Sequence, residues 1–136
     1  MDFTTRSIIE MMGYPEAHVK KVMETIVERL GKNENVEIVK QETSEPELVK
    51  EKMFSTFVEL EIKFKNIQSL YLYCTEFLPT SIEILDTTEV KMKTIDFTSS
   101  LNEVIAYLHR YNLALHNAHS RIGQLEKQLG IEPKKK

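Results

Sequence analysis

His109, His116 and His119 share the segment LNEVIAYLHRYNLALHNAHSRIGQLEKQLG, residues 101–130. If that segment is a helix, His116 and His119 lie three apart and could hold one edge of a metal ion. Zinc takes four ligands, so the remainder would have to come from another copy of the chain. A pH-sensitive surface is a milder role, and solvated polar side chains are the plainest. Cys74 is the other candidate. A nucleophilic thiol needs an exposed, electropositive setting, and Cys74 falls among apolar residues at helical spacing (Ile67, Leu70, Phe77), so a structural thiol is expected.

A third group consists of carboxylates that alternate with apolar residues in strand-like segments. Glu10, Glu37, Glu59, Glu61 and Glu83, with Lys63 among them, would share one acidic sheet face. Oxygen ligands converging there could hold a divalent metal, but alternation alone shows no convergence. A solvated face, or one paired with Lys or Arg from another element, is the expected state. GYPEAHV, residues 13–19, begins a helix whose backbone N–H groups could meet an anion, yet it lacks a glycine-rich phosphate loop. It reads as a turn and helix start. No catalytic, cofactor-binding or metal-ligating residues are assigned, and an enzyme is not expected.

Composition narrows the classes further. The chain has 136 residues, 41% hydrophobic and 29% charged, enough for one core with an appendage. A net charge of −3 argues against a strong overall field for nucleic acid or anionic lipid; PKKK at the C-terminus is a weak basic tag, expected to be a disordered end, with unspecific contact to nucleic acid or another protein as the alternative. No apolar run reaches membrane-spanning length. The N-terminus MDFTTRSIIEMMGYPE shows no secretory signal pattern. A single cysteine fits a reducing compartment, so a cytoplasmic protein is expected.

The elements that must position these residues follow from periodicity. TTRSIIEMM, residues 4–12, is short and β-branched and reads as a strand before the turn Gly13-Tyr14-Pro15, although its length also admits a helix. Val19, Val22, Met23, Ile26 and Leu30 recur at helical spacing over 15–30, with Pro15 at the start and Gly31 as C-cap. Val36 and Ile38 alternate with Glu37 on a strand. SEPELVKEK, residues 44–52, has no period and reads as an extended hairpin loop. In FSTFVELEIKFK, Val58, Leu60, Ile62 and Phe64 face one way. Asn66 caps a helix that Pro79 ends. Ile82 and Ile84 mark a strand over 81–86, facing inward. Ser100 and Glu103 form a capping box for a C-terminal helix, although Asp96 or Thr98 could begin it earlier.

This order predicts an α+β fold: a ferredoxin-like split βαβ unit (βαββαβ, a four-stranded antiparallel sheet) followed by a long C-terminal helix forming a coiled coil. A three-stranded sheet is the fallback if residues 4–12 are helical. The expected divisions are 1–95 for the α+β domain, 96–130 for the coiled-coil helix and 131–136 for a flexible basic tail. The sheet's acidic outer face lacks the aromatics and cations of an RNA-binding sheet, so RNA binding is not expected.

The C-terminal helix carries a heptad seam. Leu101, Leu108, Leu115, Ile122 and Leu129 occupy a positions, and Val104, Tyr111, Ala118 and Leu125 occupy d positions. About 30 helical residues span about 45 Å against a radius of gyration near 13 Å for a domain of about 100 residues, so the helix should project. Its first half has further apolar residues, Ile105, Ala106, Leu113 and Ala114, and should pack on more than one side. Its second half narrows to the seam. The predicted oligomerisation residues are therefore Leu101, Val104, Leu108, Tyr111, Leu115, Ala118, Ile122, Leu125 and Leu129. The expected partner is the chain itself, as a homodimer or higher homo-oligomer, with another protein as the alternative. A helix folded back on its own sheet would leave a monomer. Gly123 weakens the helix, and a bend or fraying is expected there.

The pieces IIEMMGYPEAHV, MFSTFVELEIKF, CTEFLPTSIEIL and LNEVIAYLHRYN resemble a set of short, mainly archaeal proteins of unknown function. That resemblance implies a strand over 6–11 and implies no activity. The strand order also resembles that of regulatory ACT-type domains, which implies small-molecule sensing at a subunit interface as the alternative to a self-associating scaffold. A metal-dependent enzyme using the acidic face is a third reading.

Overall fold

The computed structural model describes residues 2–131, which fall into two compact units parting between Lys91 and Met92. The first is α+β. Strand β1 (Phe3–Gly13) leads to helix α1 (Glu16–Gly31), then β2 (Val36–Thr43), β3 (Glu47–Lys50), β4 (Met53–Phe64), α2 (Ile67–Phe77) and β5 (Ser81–Ile84). The second unit holds α3 (Thr94–Leu129). No helix among the described residues is long and apolar enough to cross a membrane.

The sheet is antiparallel with strand order β2-β4-β1-β5, and β3 pairs with β4 off that path. It has five strands where four were expected. Residues 44–52 form more than a loop, because β3 continues the line of β2 along the edge of β4 opposite β1. The break between them sits at Pro46, which has no N–H for a ladder. Ser44 bridges the break: its N–H donates to the Phe57 carbonyl at 2.8 Å, and its hydroxyl accepts from the Phe57 N–H at 3.0 Å. Glu51 then turns the chain at φ 44°.

The core lies between the sheet and two helices. Val58, Leu60, Ile62 and Phe64 of β4 are fully buried, as their alternation requires. Helix α1 packs on β4, β1 and β2, burying Val19, Met23 and Leu30. Gly31 proves to be the last helical residue of α1, with Lys32 as its C-cap. The Asn66 side chain accepts from the Ser69 N–H at 2.8 Å to start α2, and Leu78 ends it in the left-handed conformation at φ 48° before Pro79.

Tyr73 occupies the deepest position of α2, 2% exposed, between the rings of Phe64 and Phe77. Its hydroxyl meets the buried Ser7 hydroxyl of β1 at 2.6 Å. Small residues are therefore needed on β1 beneath it. Thr5 is also buried and donates its hydroxyl to the Ile62 carbonyl at 3.2 Å. Cys74, next to Tyr73, is only half-buried and packs at the margin of the core.

Ile82 and Ile84 depart from expectation. Their partners Ser7 and Thr5 put them on the helix side of the sheet, yet they are 41% and 36% exposed. The strand is a four-residue edge, Ser81–Ile84, while α1 and α2 pack on strands further in.

Helix α3 starts at Thr94, earlier than residue 96, with Lys93 as N-cap. Ser100 is not a cap. It lies inside the helix and donates its hydroxyl to the Asp96 carbonyl at 2.9 Å. The helix does not fray at Gly123 and runs unbroken to Leu129. Gly130 closes it at φ 71°, with the Ile131 N–H donating to Glu126 and the Gly130 N–H to Lys127, the Schellman pattern. The expected tail at 131–136 lies outside the described residues except for Ile131.

Candidate interaction surface

The open sheet face is built by alternation and by one bulge. In β2 the register slips between Ile38 and Lys40, so Lys40, where regular pairing would set Val39, lies opposite Glu61. Across the strands this gives the row Glu83–Arg6–Glu61–Lys40. Arg6 reaches Glu59 and Glu61 at 3.5 Å and Glu83 at 3.7 Å. Lys40 meets Glu42 at 3.5 Å, and Lys63 meets Asp2 at 3.7 Å. Of the carboxylates expected to make an acidic face, Glu59, Glu61 and Glu83 thus share Arg6, while Glu10 accepts from the Ser55 hydroxyl at 3.3 Å. Arg6, Lys40, Glu42, Glu59 and Glu61 line a shallow depression there. Its carboxylates are engaged by cations and do not converge on an empty point. Arg6 lies on the same face as Glu10 by simple alternation, but only the register sets it between Glu61 and Glu83. Lys40 escaped the sequence reading because the bulge breaks the alternation.

The same bulge turns Gln41 and Thr43 toward α1, where they line an open depression with Met23, Glu24, Val27 and Glu28. Among the described residues, no group of three or more His, Cys, Asp or Glu gathers to hold a metal ion. His109, His116 and His119 are exposed along α3. The Cys74 thiol is pushed up by burial, away from the thiolate form a nucleophile needs. Burial also drives the Tyr73 hydroxyl up to about 12, with the Ser7 hydrogen bond acting in the opposite sense. At the other end of β1, Asp86 accepts from the Thr4 N–H at 3.1 Å, and that bond holds its carboxyl below its usual value.

The largest run of uncovered apolar side chains is on α3. The helix has 36 residues, about 54 Å at 1.5 Å per residue. Along its seam Leu108 is 61% exposed, Leu115 70% and Leu129 72%. Leu101, Tyr111, Ile122 and Leu125 are roughly half exposed, Ala118 is exposed, and Val104 is half-buried. Phe97, four residues before Leu101, extends the d row backward and is also exposed. Outside the seam, Ile95, Ile105 and Leu113 are exposed as well. Tyr107 and Tyr111 pack with ring centroids 6.4 Å apart, and the Arg110 guanidinium lies 4.4 Å from the Tyr107 ring centroid.

A family model described as the MJ0538 family matches residues 4–130, and the chain belongs to that family. The family is uncharacterised and takes its name from an archaeal protein. No curated protein and no solved structure matches the chain.

Proposed function

We propose that this MJ0538-family protein is a non-enzymatic, self-associating scaffold of the cytoplasm: a ferredoxin-like core whose C-terminal helix binds further copies of the chain as a coiled coil. The observation that carries it is the exposed leucine seam on the unbroken helix Thr94–Leu129. Fully burying an aliphatic side chain stabilises by roughly 1.5–3 kcal/mol. Residues left half to three-quarters exposed therefore retain much of that gain for an interface. The strand order β2-β4-β1-β5, with two helices on one side, supports the ferredoxin-like reading once β3 is taken as a continuation of β2.

Light scattering on the full chain at micromolar concentration tests the proposal. A particle of two or more chains is expected. Leu115→Asp and Ile122→Asp should each dissociate it while leaving helix content high, because both side chains already lie in solvent in the single chain. A monomeric wild-type chain would refute self-association.

A further inference from the structure

We propose that α3 pairs with one second copy in parallel and in register, and that Arg121 and Glu126 set that register. This rests on the self-association proposed above. In the heptad fixed by Leu101 and Val104, Arg121 is a g residue and Glu126 the e residue five positions on. In a parallel pair, g faces the partner's next e. Arg121 then meets the partner's Glu126, and two-fold symmetry repeats the contact on the other flank. Within one chain a spacing of five keeps the two charges from pairing on the helix surface, and neither makes an ion pair among the described residues. They are the only formal charges at e or g positions in the seam between Leu101 and Leu129, leaving aside His119.

One adjoining core layer points the same way: Ile122 at a with Leu125 at d is the β-branched/leucine combination that favours two parallel strands, whereas the earlier layers, with Leu at a and Val, Tyr or Ala at d, match no simple oligomer rule. Ala118 one layer earlier lets the two backbones come close. An antiparallel pair matching a to d would set Leu101 against the partner's Leu125 and Ala118 against the partner's Leu108. It would then leave Arg121 near the partner's Tyr107 and Glu126 near the partner's Thr98, with no opposite charge for either.

The test uses the full chain with Cys74→Ser. Ala118→Cys in that background should oxidise to a disulfide-linked dimer, because facing d positions coincide only in the parallel register. R121E and E126R should each weaken self-association about threefold or more at low salt. Mixed together they should form the heterodimer in preference to either homodimer, and R121E/E126R should recover wild-type affinity. Cross-linking only when A118C chains are mixed with Leu108→Cys chains, with both charge reversals silent, would overturn the parallel pairing and leave self-association standing. A parallel particle larger than two chains would overturn the two-stranded assembly. A chain monomeric throughout would overturn both readings.

Discussion

The Tyr73–Ser7 contact makes a sharp prediction. Tyr73 is 2% exposed and Ser7 1%, and their oxygens lie 2.6 Å apart. Tyr73→Phe leaves the Ser7 hydroxyl buried without its partner, which costs about 1–3 kcal/mol at neutral pH. Ser7→Ala strands the tyrosine hydroxyl at a similar cost, and the double variant should lose well under the sum of the two. Alkali adds an independent signature. The Tyr73 hydroxyl sits at about 12 in the fold and about 10 when unfolded. Below pH 10 both states keep the proton. Between 10 and 12 only the unfolded state gives it up, so this contribution to stability is lost as pH rises. At pH 11 the loss is about 1.4 kcal/mol, and Tyr73→Phe escapes it. Urea unfolding at pH 8 and pH 11, at one fixed chain concentration, should therefore show the Tyr73→Phe penalty shrinking by about that amount. An equal penalty at both pH values, or fully additive single variants, would refute the reasoning.

Two further substitutions probe the helix and the sheet. Gly123→Ala should stabilise α3 by about 1 kcal/mol, since a β-carbon there meets nothing within 4 Å; circular-dichroism melting should show it with the particle mass unchanged. Arg6→Ala leaves Glu59, Glu61 and Glu83 facing one another without their shared cation. All four side chains are partly exposed, so the loss should stay within about 1 kcal/mol in dilute buffer. It should fade in 0.5 M salt, where charges are screened over a few ångströms, and a salt-independent loss in urea unfolding would assign Arg6 a packing role instead.

Strong periodicity was legible in the sequence. The alternation Val58-Leu60-Ile62-Phe64 and the stripe Val19-Met23-Leu30 emerged buried because burial of one face is what fixes those periods. Strand pairing was harder to see. Leu48 and Val49 look like loop residues because β3 is short, exposed on both sides and held mainly by its ladder to β4. Ser100 and Glu103 satisfy a capping pattern, yet the helix continues upstream because Thr94–Ser99 contains no breaker and its own backbone bonds are available. Tyr73 was missed because its position on α2 reads as one apolar residue among several. Only the third dimension brings Ser7, sixty-six residues away, to its hydroxyl. The exposed apolar positions along α3 follow from helical spacing alone, whereas the neighbours of Arg6 required the strand register and the face of Lys40 required the bulge.

If copies of the chain assemble as proposed, the sheet edges favour the helix as the route. The β2–β3 edge carries register irregularities on either side of Val39 and of Val49, a proline between the two strands, and Lys40 and Lys50 beside those irregularities. Each of these spoils the flat, regular edge that another strand would need. The opposite edge, β5, is four residues long, with few backbone groups to offer. The open face between them is a lattice of paired charges, which a partner would have to desolvate. On α3 the balance reverses: between its ends the backbone is bonded within the helix, the uncovered seam side chains are mostly apolar, and covering them mainly removes water from hydrocarbon. A partner therefore gains most, and strips fewest polar groups of water, along the leucine seam.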